Sequence, residues 1–119
     1  MKHDALTYAR KIAELSDIIE ELVDKLDVSA TDKAQAKADH AKEKGLVLLR
    51  IKNKVLTEWE GLDLTKLTAG EREIVSEAIC WEQVLEKDAT DNLYKALITK
   101  IDARKAQMNG YQSINKVLN

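Results

Sequence analysis

The chain has 119 residues, 34 % charged and 45 % hydrophobic, with a formal net charge of −2, and this predicts one soluble domain over 1–119. It contains no Pro, no Phe, three Tyr and two Trp, a composition that argues against a β-rich core and for an all-α protein. The acidic pI near 5.7 lacks the electrostatic footprint of a nucleic-acid-binding domain. A lone Cys80 permits neither an internal disulfide nor a cysteine metal site.

The first predicted helix covers about residues 3–27. Ala5, Tyr8, Ile12, Leu15, Ile19, Leu22 and Leu26 repeat at alternating threes and fours, a seven-residue pattern. Ile12 and Ile19 alternating with Leu15 and Leu22 is the arrangement a two-stranded parallel coiled coil favours. Ile18 and Val23, however, widen the stripe, which suits a bundle helix packed against two neighbours better, so the fold is expected to be bundle or coiled-coil-like. At residues 27–32 the apolar register breaks, and Ser29 with Asp32 resembles a capping box, so a tight helix–helix turn is expected there. A second helix over about 30–60 then completes an antiparallel helical hairpin, with Ala34, Ala38, Ala41, Gly45, Leu48, Leu49, Val55, Leu56, Trp59 and Leu62 inward. Gly45 inside this helix implies close backbone contact or a local kink, because glycine costs about 1 kcal/mol against alanine there.

A short joint over 61–67 leads to Thr68-Ala69-Gly70-Glu71, a capping-box signature that opens one long helix over about 69–108. Its apolar stripe is Ile74, Ala78, Trp81, Leu85, Ala89, Leu93, Ala96/Leu97, Ile101 and Met108, and its weak point is residues 88–92, which favour caps and turns. Cys80, between Ile79 and Trp81, reads as a small core residue. After Gly110 the segment 110–119 is expected to be a less ordered tail.

Charge alternates along the chain: residues 1–27, 28–59, 60–86 and 87–119 carry −3, +3, −5 and +3. An acidic first helix folded against a basic second one accounts for the first pair. A helix of about 40 residues measures about 60 Å, more than the other two can cover, so Leu93, Leu97, Ile101 and Met108 are expected to form a homodimer interface. The acidic start and basic end of the helix favour antiparallel copies.

Chemistry is sparse. His3 lies near the start of the chain and His40 reads as a half-exposed helix residue. Glu-x-x-His pairs, Gly-rich phosphate loops, nucleophile elbows and Cys/His clusters are missing from the sequence. The expectation is therefore no enzyme, with no catalytic residue, no metal and no cofactor. No uncharged run is long enough to span a bilayer, and no apolar leader opens the chain, so a cytoplasmic protein without membrane contact is expected. Glu71, Glu73, Glu77 and Glu82 are the candidate partner-binding band for a protein. As the alternative, Tyr94, Lys95, Lys100, Arg104 and Lys105 offer a basic-aromatic patch for single-stranded nucleic acid, which is not favoured.

The Lys/Ala-rich second helix, the short joint, Thr68-Ala69-Gly70-Glu71-Arg72-Glu73 opening a long helix with a Trp, and Tyr111-Gln112-Ser113 resemble small helical proteins from the early regions of tailed bacteriophages. The resemblance covers about two thirds of the chain and transfers no catalytic residue. It implies a protein that binds a host or phage protein in an infected cell, as anti-CRISPR inhibitors do, or, alternatively, one that accompanies phage recombination or replication.

Overall fold

The computed structural model describes residues 5–118, of which 85 % are helical. Three helices and one small hairpin follow in order: α1 (Ala5–Lys52), β1 (Glu58–Trp59), β2 (Leu62–Asp63), α2 (Ala69–Ile79) and α3 (Trp81–Leu118). The all-α expectation holds, but the boundaries inside it change. His3 and the first residues of the expected first helix lie outside the described residues. Among the described residues no helix is long and apolar enough to cross a membrane.

The turn expected at residues 27–32 is absent, and α1 runs through it for 48 residues. The seven-residue register does not break at 27–32; its occupants merely become polar. Leu15, Leu22, Ser29 and Ala36 are buried at successive steps of seven, and His40 and Val47 are buried on the interleaved series that begins with Ile12, Ile19 and Leu26. Ser29 faces inward with its hydroxyl unpartnered instead of capping a new helix. Thr31 donates its hydroxyl to the Asp27 carbonyl at 3.2 Å, four residues back on the same helix, so this polar stretch is satisfied in helical geometry.

The reversal comes later. α1 ends at Lys52, where Val55 N–H donates to the Arg50 carbonyl at 2.9 Å and Lys54 N–H to that of Ile51 at 3.2 Å. This is a Schellman termination, and Lys54 occupies its left-handed position at φ 58°. β1 and β2 pair antiparallel, Glu58 with Asp63 and Trp59 with Leu62. The two residues between them, Glu60 and Gly61, have φ of 50° and 79°, the positive pair that a two-residue hairpin turn with the right twist requires. Thr65 donates both its N–H (2.9 Å) and its hydroxyl (2.6 Å) to Asp63 Oδ1, which carries the chain out of the hairpin.

Thr68 then caps α2 as the sequence predicts: its Oγ1 accepts from Glu71 N–H at 3.2 Å, and Glu71 Oε1 accepts from Thr68 N–H at 3.0 Å. The long third helix is interrupted, but at Cys80 and not at 88–92. There φ −89° and ψ 28° leave the helical region, although Cys80 N–H still donates to the Ser76 carbonyl and Val84 N–H to that of Cys80, both at 3.0 Å. Residues 88–92 stay helical because Thr90 returns its hydroxyl to the carbonyls of Glu86 (2.9 Å) and Lys87 (3.0 Å). The segment expected as a tail forms the last turns of α3, which continues past Gly110 to Leu118.

The chain divides into two compact units, one made of the described residues up to Thr31 with those from Asn92 onward, the other of Asp32–Asp91. In the first, Leu15, Leu22 and Ile101 are buried. Tyr8 of α1 meets Tyr111 of α3 at 5.8 Å between ring centroids, and the Lys11 ammonium sits over both rings, 5.8 and 5.1 Å from their centres, a cation–π clamp. The second unit has a core of Val47, Ile51, Leu64, Val75 and Cys80, packed against by Leu56, Trp59, Leu67 and Ile79. Leu64, 2 % exposed, anchors the hairpin in that core.

Two substitutions test this packing. Leu64→Ala should lower stability by about 2–5 kcal/mol in denaturant unfolding, since it opens a cavity in a closed core. Gly45 makes no close contact, as an added Cβ would meet nothing within 4 Å. Gly45→Ala should therefore raise stability by about 1 kcal/mol; a loss would mean that the glycine serves the fold after all.

Candidate functional site

Helix α2 lies against the basic part of α1 in the Asp32–Asp91 unit, and a polar cluster joins them. His40 Nε2 and Glu77 Oε1 are 2.7 Å apart, and Lys44 Nζ reaches Glu73 Oε2 at 2.7 Å and Glu77 Oε1 at 3.2 Å. His40 is buried, a correction to its half-exposed assignment. It occupies a core position of the seven-residue register, where Glu77 satisfies its ring nitrogen. Lys33 pairs with Asp91 at 3.1 Å in the same unit. The basic stretch of α1 is thus matched by the acidic 60–86 segment and not by residues 1–27, with which it shares one continuous helix.

The pairing shifts two of these groups. Burial pushes the Glu77 carboxyl up, but the hydrogen bonds from Lys44 and His40 and the charges of both outweigh it and hold it below the usual carboxylate range. Lys44 is raised, chiefly by its hydrogen bonds to Glu73 and Glu77. Burial also raises the Cys80 thiol, with the charges of Glu43 and Glu77 adding to it. At 3 % exposure this thiol stays protonated and inert. Among the described residues no group of three His, Cys, Asp or Glu side chains is placed to hold a metal ion.

The candidate partner-binding glutamates are largely engaged inside the chain. Glu73 and Glu77 pair with Lys44, Glu71 caps α2, and of the four Glu82 remains an exposed flank residue. Sequence reasoning missed this because it assigned the basic segment of α1 to another acidic neighbour.

The expected apolar stripe of the long helix divides between two faces. Val75, Ser76, Ile79 and Cys80 point into the core, so Ile74, Ala78, Trp81 and Leu85 fall on the opposite side. Ile74 is 72 % exposed, Trp81 59 % and Leu85 62 %. Glu77, Ala78, Trp81, Val84, Leu85 and Asp88 line a shallow hollow there. Further along α3 the inward face is Tyr94, Leu97, Ile101, Arg104, Met108 and Tyr111, again in steps of three and four. Of the four residues expected at a dimer interface, Ile101 is buried within the chain at 5 % exposure, Leu97 and Met108 are half-buried, and Leu93 alone is exposed.

No family model, curated protein or solved structure matches this chain. The geometry of its own surfaces carries the functional reading.

The basic-aromatic patch is only partly open. Tyr94 and Arg104 are half-buried and Lys95, Lys100 and Lys105 exposed. Tyr94 and Lys95 both have partners within the chain, and Arg104 donates to Gln107 Oε1 at 3.2 Å.

A pH dependence follows from the shifted groups. Glu77 contributes stability above its ordinary value of 4.5, and this is lost as pH falls through its lower folded-state value. Lys44 contributes below 10.5, and its share is lost as pH rises through its raised value. Thermal melting should therefore show Tm falling on both sides. Glu77→Gln should flatten the acid arm, leaving what Asp63 and Glu71 supply, since hydrogen bonds from Thr65 and Thr68 hold both below the usual range. An acid arm as steep as the wild type's would exclude Glu77 as a contributor.

Proposed function

We propose that this chain is a non-enzymatic protein-interaction module that presents the Ile74, Ala78, Trp81 and Leu85 face to an apolar surface on a protein partner. The observation that supports this is the position of that face, opposite the core and with its three large side chains more than half exposed. Scattered apolar residues on a surface need no explanation, but a contiguous patch with a polar rim marks an interaction site. The row crosses the break at Cys80, with Ile74 and Ala78 a turn apart on α2 and Trp81 and Leu85 a turn apart on α3, and apolar anchors at such spacing are what a groove on a partner receives. Trp is the residue type most enriched among such anchors.

The resemblance to phage early-region proteins extends the reading to a host or phage protein as partner in the cytoplasm of an infected cell, with inhibition of the anti-CRISPR kind as one form. The nucleic-acid alternative has less support: Tyr94 is half-buried and, like Lys95, has a partner within the chain, and Arg104 donates to Gln107, so contact with bases and phosphates would first have to release those interactions.

A photo-reactive residue in place of Ala78 should cross-link to protein in the native cell, whereas the same group in place of exposed Asp102 should not. Trp81→Ser and Leu85→Ser should abolish the cross-link while changing folding stability by no more than about 0.5 kcal/mol, as exposed positions allow. Cross-linking to nucleic acid alone, or none from position 78, would exclude this function.

A further inference from the structure

A second apolar surface lies in the same unit. Along α1 and the first turn of α2, Ala41, Gly45, Leu46, Leu48, Leu49 and Ala69 line an open groove of about 650 Å³. Lys42, Lys52 and Arg72 stand on its rim. Glu73, also on the rim, is neutralised by Lys44 at 2.7 Å.

Three features of this groove match the outward face of α2 and α3. The first is charge. Asp88 lines the hollow beside Ala78, Trp81 and Leu85, and Glu71 and Glu82 are exposed on the same two helices, while Glu77 is taken up by Lys44 and His40, so an acidic-edged ridge faces a basic-edged groove. The second is length, since Ala41 to Lys52 and Ile74 to Leu85 each span eleven residue steps, about 16 Å along α1 at helical rise and a similar span across the α2–α3 break at Cys80. The third is the floor of the groove. Gly45 lies in a helix interior, where glycine is disfavoured, yet no neighbour within the chain would touch a Cβ there. The missing side chain leaves a hollow that nothing inside the chain needs and that an indole from outside can enter.

We infer that the groove's occupant is a second copy of this chain, and that two copies pair about a two-fold axis, each seating its Ile74, Ala78, Trp81 and Leu85 row in the other's Gly45 groove. This rests on the functional reading above and names the partner. A two-fold arrangement buries both surfaces of both copies and closes the assembly, while opposite charges along the edges set the direction of docking. The apolar side chains supply the affinity and the edges add a salt-sensitive part.

Sedimentation of the purified full chain over 1 to 100 µM, on the scale of about micromolar self-affinity, should show a monomer passing to a dimer, with Trp81 emission shifting to the blue as the dimer forms. Leu85→Glu spoils the ridge and Gly45→Leu fills the groove. Each should weaken pairing at least tenfold, and Gly45→Leu, which places a better helix former at an open position, should not lower the melting temperature of the monomer. Mixing the two variants should restore a weaker heterodimer, because the ridge of the Gly45→Leu chain and the groove of the Leu85→Glu chain are both intact. A wild-type monomer at 100 µM, a dimer that survives both substitutions, or a mass that climbs without limit would overturn the two-fold pairing. A monomer whose position 78 still cross-links to a different protein in the cell would overturn this inference alone; a monomer without cross-links would remove the functional reading as well.

Discussion

The packing of Val75 and Ile79 of α2, and of Cys80 just after it, onto Val47, Ile51 and Leu64 fixes most of what is distinctive about the Asp32–Asp91 unit. A helix turns only one side to a core, so once these residues face inward the opposite row must face out. The same rotation sets Glu73 and Glu77 beside Lys44 and His40. It is available only because the hairpin between α1 and α2 is short and is itself held by Leu64, the most buried large side chain of the unit.

Much of the fold was legible in the sequence. The helical class, the Thr68 capping box and the seven-residue pattern through Leu26 all follow from local chemistry, and all are present. The failures have a common origin in counting only apolar residues. Ser29, Lys33, Ala36 and His40 continue the seam of α1, but a pattern of hydrophobic residues ends at Leu26 and invites a turn. The long helix misled in the opposite way. Its apolar residues follow each other at spacings of three and four from Ile74 to Ile101, yet the row from Ile74 to Leu85 faces outward and Ile101 inward. A sequence spacing does not say which of two apolar rows meets the core. The hairpin escaped notice because its strands are two residues each, and because Lys54 at the left-handed end of α1 and Glu60 at the first of the hairpin's two left-handed positions are residues that advertise no turn.

Charge blocks were informative about pairing and uninformative about partners. The alternation of sign along the chain is real, and it is used, but the basic stretch finds its acids in α2 and at Asp91. Glutamates that look available for an external partner are then committed inside the chain, with Glu73, Glu77 and Glu71 the instances. The surface we propose for recognition consists of the apolar residues between them, Ile74, Ala78, Trp81 and Leu85, which resemble core in any one-dimensional view.

The turn after Lys52 also orders the folding of the chain in time. Pairs that join its two arms grow more distant in sequence with each step away from the turn: Lys44 with Glu73, His40 with Glu77, Lys33 with Asp91, then Tyr8 with Tyr111. The entropy lost in closing a loop rises with loop length, so the contact nearest the hairpin is the cheapest to make first, and each one made shortens the loop that the next must close. The chain has no need of an early long-range encounter, the step that slows folding most.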